Sequence, residues 1–522
     1  MNSGIGIENE RRAPACGHVN DGFVLYSEFG AKGDGVTDDF AAIRAAHDYA
    51  NAHGLPVRGD PGAVYYCGHR AESAEIRTDV DWTDASFVLD DTKMEQEDRR
   101  THTFRVCRSA APVDLLRSGV TKVACGQERL DVSLGTDALV CITQESRKLF
   151  IREGPNRNSG RVQTDCFLLH ADGRIDPSTP VIWDFDDPSE ITAYPIEKER
   201  LTVRGGTFTT IANQQPSRYT YYTTGIEITR PNVEICGLTH FVTGELDHGA
   251  PYDAILQVND CADVLVRGCL FTAHRTYSTI GAAGTPVPMG SYDLRCHRAA
   301  NVTFRDCRQT TDILDRRYWG LFCSDFCKNL TLENCVFSRF DAHMGVTNAA
   351  IRGCTLGYQC LNAIGHGLLT VENSTLYGKS MISLRADYGS TWHGDVVIRD
   401  CTWIPGFGET LESNGYSVIG GKYSGEHDFG YPCYMPTHVT VERLKVRDGK
   451  RSDGYTGINL LGDFSPGDFS PKNVDESYAA EIEKYPYHPT EEITVRGIET
   501  ESGLGYRLST NPYMFRSTKV LT

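Results

Sequence analysis

Residues 330–337 read LTLENCVF, and the same pattern returns at 349–356 (AAIRGCTL), 369–376 (LTVENSTL) and 396–403 (VVIRDCTW). Each copy alternates apolar and polar residues and then places a glycine, asparagine or aspartate before a small residue. Alternation with a period of two predicts a short strand, and the glycine, asparagine or aspartate predicts a turn. The first three copies start 19 and 20 residues apart, which fits one coil of a parallel β-solenoid. Such coils bury their apolar faces only by stacking on their neighbours.

Further copies extend the solenoid in both directions. They lie at 201–208, 264–271, 302–307 and 439–446, with weaker ones at 233–240, around 418 and at 493–500. Longer gaps predict loops inserted between equivalent coils. One repeat position holds a cysteine in five copies: Cys269, Cys307, Cys335, Cys354 and Cys401. We expect these thiols to form a buried ladder of small side chains. The chain has 18 cysteines but no Cys-x-x-Cys pair, so the sequence predicts no structural zinc site.

The segment before the repeats begins with residues 29–39, which read FGAKGDGVTDD, and continues into an alanine-rich stretch that Gly54 ends. Thr37 is the expected N-cap of a helix that runs to about Ala52. Its apolar stripe consists of Phe40, Ile43, Ala46 and Ala50. Such a helix can cover the open end of a solenoid, whose unpaired strand edge would otherwise invite association.

This opening, with Pro61-Gly62 before the next strand, resembles the start of the pectate lyase superfamily. That superfamily comprises right-handed parallel β-helices, including polygalacturonase-like glycoside hydrolases, polysaccharide lyases, epimerases and phage tailspikes. The resemblance covers roughly residues 22–78 and 200–450. It implies an all-β fold, a right-handed parallel β-helix with an N-terminal capping helix. It does not choose the reaction.

We divide the chain accordingly into four parts. They are an N-terminal cap with the first coils (1–85), an inserted antiparallel β-subdomain (86–199), the main coils (200–450), and a loop excursion with a C-terminal coil (451–522).

A second strand precedes each repeat copy and carries titratable residues. If Leu294, Met344 and Leu384 point into the core, the alternate residues of their strands face solvent. Those alternates are Asp293, Arg295, Asp341, His343, Ser383, Arg385 and Asp387. Neighbouring coils lie ~4.8 Å apart, so carboxylates one or two coils apart span the ~5–10 Å that glycoside hydrolysis uses.

The catalytic group that we predict consists of Asp341, His343, Asp387, Arg385 and Asp315. In a glycoside hydrolase, the first reading, Asp341 or Asp315 is the general acid and Asp387 is the base or nucleophile. In a polysaccharide lyase, the alternative, His343 or an arginine takes the proton next to a uronate carboxylate, and arginine or Ca²⁺ stabilises the enolate. A tailspike-like glycan-binding or depolymerase protein is the third reading.

Loops and strands beside this face supply the expected substrate-binding residues. They are Glu245, Asp247, His248, His274, Asp293, Arg295, Arg317, Trp319 and Trp392. Gly365-His366-Gly367 resembles a polygalacturonase motif and precedes Arg385 in the same order, which implies a substrate role for His366. The Asn-x-Asp, paired Asp-Asp and Arg-x-Lys elements of that pattern are missing here.

Charge and composition limit the partners. The chain of 522 residues carries 52 Lys+Arg against 69 Asp+Glu, a net charge of −17, which disfavours nucleic acid and anionic membranes. No run approaches the ~18 apolar residues of a membrane span. The N-terminus shows no secretory signal, so we expect a cytoplasmic protein, or a secreted one if a leader has been removed. The expected partner is a poly- or oligosaccharide, with no cofactor or metal apart from Ca²⁺ in the lyase alternative. The expected state is a monomer or a homo-oligomer, trimers included.

Overall fold

A computed structural model of the protein describes residues 22–217, 221–246, 249–280, 284–422, 427–464, 487–511 and 514–522. Its dominant sheet stacks strands in parallel, coil upon coil, around one continuous apolar core. Each full coil has three strand faces, which we number in chain order from the repeat strand: face 1 carries the repeat, face 2 follows its turn, and face 3 leads into the next repeat copy. The fold is a parallel β-helix.

The strands of face 1 are Val24–Leu25, Val57–Arg58, the starts of Val80–Asp90 and Leu201–Ile211, Val233–Cys236, Ala262–Arg267, Ala300–Arg305, the ends of Phe322–Glu333 and Val336–Arg352, Gly365–Glu372, Trp392–Arg399, the starts of His438–Val446 and Glu492–Thr500, and Lys519–Leu521. Those of face 2 are Asp34–Asp38, Val64–Cys67, the ends of Val80–Asp90 and Leu201–Ile211, Thr239–Thr243, Leu270–Phe271, Arg308–Gln309, the starts of Val336–Arg352 and Thr355–Ala363, Thr375–Gly378, Thr402–Pro405, and the ends of His438–Val446 and Glu492–Thr500.

The strands of face 3 are Ala74–Ile76, Phe104–Val106, Ile226–Ile228, Asp253–Asn259, Tyr292–His297, the start of Phe322–Glu333, the middle of Val336–Arg352, the end of Thr355–Ala363, Ser380–Leu384, Ser417–Gly420, Ile458–Leu461 and Tyr506–Arg507. A separate hairpin pairs Tyr277–Ile280 with Pro286–Met289. Short 3₁₀ helices lie at Tyr26–Phe29, Asp91–Lys93, Gly154–Asn156, Ala386–Tyr388 and Gly406–Gly408.

The repeat register is confirmed coil by coil. Leu332 pairs with Ile351, Ile351 with Val371, and Val371 with Ile398. The five ladder cysteines are buried beneath these strands. Ser374 takes the same position in one coil, where its Oγ accepts a hydrogen bond from the Cys354 backbone N–H at 3.0 Å. The cysteines that the structure describes are all free thiols. A small buried side chain is therefore what this position requires.

An asparagine recurs at the turns that lead into face 1, where the backbone is left-handed. Asn301, Asn329 and Asn348 have φ angles of 55°, 55° and 61°, a left-handed conformation that asparagine tolerates better than most residues. Their amides also stack: Asn329 Nδ2 donates to Asn301 Oδ1 at 2.9 Å, and Asn348 Nδ2 donates to Asn329 Oδ1 at 3.1 Å. The ladder satisfies polar groups that stacking of the coils would otherwise leave unpaired.

The capping helix spans Phe40–His53, and Gly54 ends it in the left-handed conformation with φ 67°. Its predicted apolar stripe is buried. The predicted N-cap is wrong, because Asp39 and not Thr37 precedes the first turn. The Asp39 carboxylate accepts instead from the backbone N–H groups of Lys32 at 2.6 Å and Gly33 at 2.9 Å, which fixes the preceding loop.

The insert is an antiparallel four-stranded sheet of Val113–Asp114, Ala138–Leu149, Arg161–Leu169 and Glu190–Pro195, with its own apolar core. It begins later than the predicted boundary at residue 86. Val80–Asp90 and Phe104–Val106 belong to the solenoid, where they pair with Leu201–Ile211 and Ile226–Ile228. Their apolar residues are buried in the solenoid core, which fixes them there.

A buried ion pair docks the insert on the coils. Asp165 of the insert lies 2.9 Å from Lys328 Nζ, and both side chains are almost completely buried. Lys328 Nζ also donates to the carbonyl of Pro180. Within the described ranges, no helix combines the length and apolarity that crossing a membrane requires.

Candidate active site on face 3

Asp341 lies at the centre of a charged network on the outer side of face 3. Arg385 Nη1 lies 2.9 and 2.8 Å from its two oxygens, Arg339 Nη2 lies 2.7 Å from Oδ2, and the Tyr292 hydroxyl donates at 3.1 Å. Burial opposes ionisation, but Arg339 and Arg385 outweigh it and lower the pKa of Asp341. The side chain is 0% exposed, so the expectation that it faces solvent is wrong. Held as a buried carboxylate, it is poorly suited to donate a proton.

Asp387 occupies the 3₁₀ turn after the strand Ser380–Leu384 and receives two guanidinium groups. Arg385 Nη2 lies 3.0 Å from Oδ2, and Arg152 Nε and Nη2 lie 2.8 and 2.7 Å from the same oxygen. Burial opposes ionisation here as well. The charges of Arg385 and Arg152 prevail and hold the pKa of Asp387 far below its ordinary value. Asp387 is therefore a carboxylate that is partly open to solvent.

His343 joins two further residues of the network. Its Nδ1 lies 3.1 Å from Asp325 Oδ1, and its Nε2 lies 3.2 Å from the Tyr388 hydroxyl. Burial opposes the charge of Asp325, but the Arg295 guanidinium and the hydrogen bond from His343 outweigh it and hold the pKa of Asp325 far below its ordinary value. Since an ionised carboxylate can only accept, Nδ1 carries the proton and the lone pair of Nε2 points toward Tyr388.

Two effects keep that imidazole neutral. Burial and then the neighbouring Arg385 lower the pKa of His343 from its ordinary value. Its side chain is nevertheless 21% exposed, so a ligand can reach it. Burial raises the pKa of Tyr388 to about 12, so its hydroxyl keeps its proton at neutral pH. His343 is therefore a neutral, oriented and accessible proton acceptor.

A local irregularity in the sheet keeps both His343 and Met344 out of the solenoid core. Ser324 pairs with Ala342, but Asp325 pairs with Met344. The strand Val336–Arg352 therefore has one extra residue, His343, at this point of the pairing. Such a bulge re-aims the side chains beside it. Met344 consequently packs with Phe150 of the insert instead of entering the solenoid core. The bulge places His343 beside Asp325 of the preceding coil.

Arg295 extends the network toward the N-terminal coils. Its Nη2 lies 2.7 Å from Asp325 Oδ2, and its Nη1 contacts Asp253. Burial raises the pKa of Asp253, although Arg295 acts in the opposite direction. We call the whole set the face 3 cluster: Arg152, Asp253, Arg295, Asp325, Arg339, Asp341, His343, Arg385, Asp387 and Tyr388.

Calcium fits this cluster poorly. Among the described residues, the group with ligand atoms within 4.8 Å of one another is Cys323, Asp325 and His343. Sulfur and imidazole are softer donors than the oxygens that Ca²⁺ prefers. The cluster's carboxylates, moreover, are each paired with at least one arginine.

The insert forms one wall beside the cluster. Phe150 meets the rings of Tyr388 and Tyr431 at 6.0 and 5.0 Å between centroids. Below this wall lies a small, mainly apolar pocket, and His366 is part of its lining. The Trp183 ring packs edge-on against His366 at 5.1 Å, and burial lowers the pKa of this histidine to about 3. His366 thus lies under the insert and not in the network with Arg385 that the motif implied.

An open cleft continues the face toward the C-terminal coils. Asp341 pairs with Asn362, and Asn362 with Ser383, so the cleft follows the same outward row of the strands. Its volume is about 490 Å³, and its lining includes Asn362, Ser383, Lys379, Lys422, Tyr358 and Phe407. Lys379 and Lys422 are exposed and form no ion pair within the part of the chain that the structure describes. The cleft therefore offers unpaired positive charge beside small polar groups and aromatic rings.

Three predicted substrate-binding residues bind one another instead. His274 Nδ1 lies 2.9 Å from Glu245 Oε1, and its Nε2 lies 3.2 Å from Asp293 Oδ1. Burial opposes the charge of His274, but the two carboxylates outweigh it and raise its pKa to about 10. Asp293 is 0% exposed because His240 and the Thr272 backbone N–H also bind it. Its predicted solvent exposure is wrong, and the trio ties two loops to the coils.

The remaining predicted residues are scattered. Trp392 is 0% exposed in the solenoid core, where its Nε1 donates to the Gly367 carbonyl at 3.0 Å, so stacking on a sugar is ruled out in this arrangement. Asp315 and Arg317 pair within their own loop at 2.5 Å. Trp319 covers Arg339, with 4.8 Å between the guanidinium carbon and the ring. Asp247 and His248 lie outside the described residues.

Several members of the cluster escaped the sequence prediction. Asp325 was within reach, since alternation from the buried Phe322 puts Cys323 and Asp325 on the outer side of the strand. Tyr388 follows Asp387 and Arg339 lies two residues before Asp341, but neither carries a signal of its own in the sequence. Arg152 had no signal, because the repeat says nothing about where a separate sheet docks.

Comparisons with known proteins bear on the fold. No protein-family profile matches the sequence, and no curated protein is significantly similar to it. Tailspike gp49 of Pseudomonas phage LKA1 is 14% identical with a TM-score of 0.52, over 95% of this chain and 84% of that one. Tailspike gp61 of Pseudomonas phage phi297 is 14% identical with a TM-score of 0.53 over the same shares. Tailspike gp54 of Acinetobacter baumannii bacteriophage AP22, solved with a capsular saccharide, is 10% identical with a TM-score of 0.52, over 95% and 79%. The right-handed parallel β-helix is confirmed.

Proposed function

We propose that this protein is a carbohydrate-active enzyme that binds a poly- or oligosaccharide along face 3 and cleaves it at the face 3 cluster. The observation that carries the proposal is the Asp325–His343–Tyr388 arrangement, which holds a neutral imidazole at the surface with a fixed tautomer. The open cleft beside it offers polar groups and aromatic rings that could bind further sugar units. The fold supports the proposal too, since one structure of similar fold was solved with a capsular saccharide bound.

Elimination is the reaction that this geometry supports best. His343 Nε2 would take the proton from the carbon next to a uronate carboxylate. The electrons of that C–H bond would form a C=C bond as the adjacent glycosidic C–O bond breaks, and the released oxygen would take a proton from water. Asp325 would stabilise the imidazolium formed, as carboxylates do for catalytic histidines. Arginines of the cluster would offset the negative charge that develops on the carboxylate.

Hydrolysis is the second candidate, because Asp387 is an ionised and partly exposed carboxylate that could activate water. Burial raises the pKa of Asp253, but Asp253 lies five coils of face 3 before the strand that leads to Asp387. That separation exceeds the ~5–10 Å between the two carboxyl groups of glycoside hydrolases. Hydrolysis would therefore keep Asp387 in the role predicted from the sequence but would need a proton donor other than Asp253.

One assay separates the two reactions. The protein is incubated with neutral and uronate-containing glycans while reducing ends and the ultraviolet absorbance of unsaturated uronates are followed in the same tube. We expect both signals to rise together on a uronate polymer. Reducing ends without absorbance would select hydrolysis, and silence on the whole panel, neutral glycans included, would contradict cleavage.

A further inference from the structure

Arg152 is the one arginine of the face 3 cluster that comes from the insert. It follows the strand Ala138–Leu149, and the adjacent Glu153 backbone N–H donates to the Asp387 carbonyl at 3.2 Å. The Arg152 guanidinium carbon also lies 5.3 Å from the centroid of the Tyr388 ring. The insert is thus fixed to the turn after Ser380–Leu384 by backbone, charge and ring contacts at once.

The Arg152 guanidinium differs from those of Arg385 and Arg295 in having a terminal nitrogen that is available to a ligand. Arg385 uses Nη1 on Asp341 and both Nη2 and Nε on Asp387. Arg295 uses both terminal nitrogens on Asp253 and Asp325. Arg152 directs Nε and Nη2 at one oxygen of Asp387, and its Nη1 has no hydrogen-bond partner among the described residues.

Accessibility separates Arg152 from Arg385 and Arg339, while Arg295, which is 24% exposed, has both terminal nitrogens occupied. The Arg152 side chain is 22% exposed, whereas that of Arg385 is 11% exposed and that of Arg339 is 5% exposed beneath the Trp319 ring. A guanidinium that is fixed on one side and open on the other is suited to bind an incoming carboxylate, because its donors are already oriented. Asp387 would then hold the arginine, and the arginine would hold the ligand.

We propose that Arg152 is the specificity-determining residue of the site: the inserted subdomain supplies the group that recognises the carboxylate of the sugar being cleaved. This inference rests on the proposed function. It also gives the insert a role that the solenoid alone cannot fill, since the other guanidinium groups of the cluster are paired or covered.

The test compares each uronate polymer with its methyl ester. Polygalacturonate, alginate, hyaluronan and chondroitin are offered as free acid and as ester to the wild type, Arg152→Gln and Arg152→Lys. Binding is measured by calorimetry and cleavage by absorbance. Arg157→Gln is the matched control, because Arg157 is an exposed arginine of the same hairpin loop. Thermal unfolding verifies that each variant is folded.

We expect Arg152→Gln to lose about 10- to 100-fold in kcat/KM and in affinity for the free acid, the range of a charged hydrogen bond. The ester should change little, and Arg152→Lys should recover part of the loss. An unchanged preference for the acid in Arg152→Gln, or no such preference in the wild type, would overturn the inference. Acid-selective binding that depends on Arg152 but comes without cleavage would overturn the proposed function alone.

Discussion

The inner and outer sides of the same coils differ in what determines their residues. On the inner side, successive coils carry the same small side chain at Cys307, Cys335 and Cys354, because each coil packs against a neighbour of the same shape. Outward on face 3, Arg295, Cys323 and Asp341 occupy equivalent places in successive coils yet share no chemistry. The inner row is fixed by the period of the fold. The outer row is fixed by whatever loops, bulges and insert cover it, and that is where function can differ between coils.

The largest expected effect comes from a substitution on the outer side that leaves the inner packing unchanged. His343→Asn removes the proton acceptor but keeps a side chain that can bond Asp325. We expect kcat to fall about 10²- to 10⁴-fold, the range of general acid–base catalysis, and thermal unfolding to stay near wild type. His393→Gln, an exposed histidine on face 1, is the control. Equal activity in the two variants would remove His343 from the mechanism.

Lys328→Met tests whether the buried ion pair with Asp165 holds the insert against the outer side of the coils. The variant leaves the Asp165 carboxylate buried without its partner, so we expect about 3–5 kcal/mol of lost stability in urea unfolding. Asp165→Leu combined with Lys328→Met removes both charges and should recover most of the loss. If the single and the double variant unfold alike, the ion pair is not what docks the insert.

The open cleft allows a smaller test of charge. Lys379→Glu with Lys422→Glu reverses the unpaired positive charge at its rim. For an anionic glycan we expect KM to rise about tenfold, equivalent to roughly 1.4 kcal/mol, with kcat little changed and the effect weakened by salt. Lys445→Glu with Lys519→Glu, both exposed elsewhere on the solenoid, makes the same change in net charge and is the control. A change confined to kcat would argue against the cleft as a binding surface.

The smallest effect belongs to the inner ladder. Cys354→Ser should cost less than about 1 kcal/mol, since Ser374 already fills this position in the next coil and a hydroxyl can replace the thiol's contact with the Arg352 carbonyl. Cys354→Leu should cost about 1–3 kcal/mol through overpacking. Activity should be unchanged in both. A serine variant less stable than the leucine variant would contradict the account of the ladder.

The same contrast explains what the sequence could reveal. The strands, the cysteine ladder and the capping helix can be predicted from periodicity, because their buried residues recur at a fixed spacing along the chain. Asp341, His343, Arg385 and Asp387 were found because alternation puts them on the outer side of their strands. Their burial and their partners could not be predicted, since alternation cannot show that Trp319 covers Arg339 or that the insert places Arg152 beside Asp387. Trp392 was misplaced for a related reason: an aromatic residue near a loop gives no sign that it fills the core.

The pH dependence of activity follows from His343. Because burial and Arg385 lower its pKa, the imidazole stays neutral below the ordinary value of about 6.5. If His343 is the base, kcat/KM should fall on the acid side only below about pH 6.5. His343→Asn should lose that limb of the profile.

The central claim is that Asp325 holds His343 as a neutral proton acceptor, and a nitrogen NMR titration of the labelled histidines tests it without any substrate. His343→Asn assigns the signal. We predict the tautomer with the proton on Nδ1 and a pKa below about 6.5. A pKa at or above that value, or the proton on Nε2, would contradict the account.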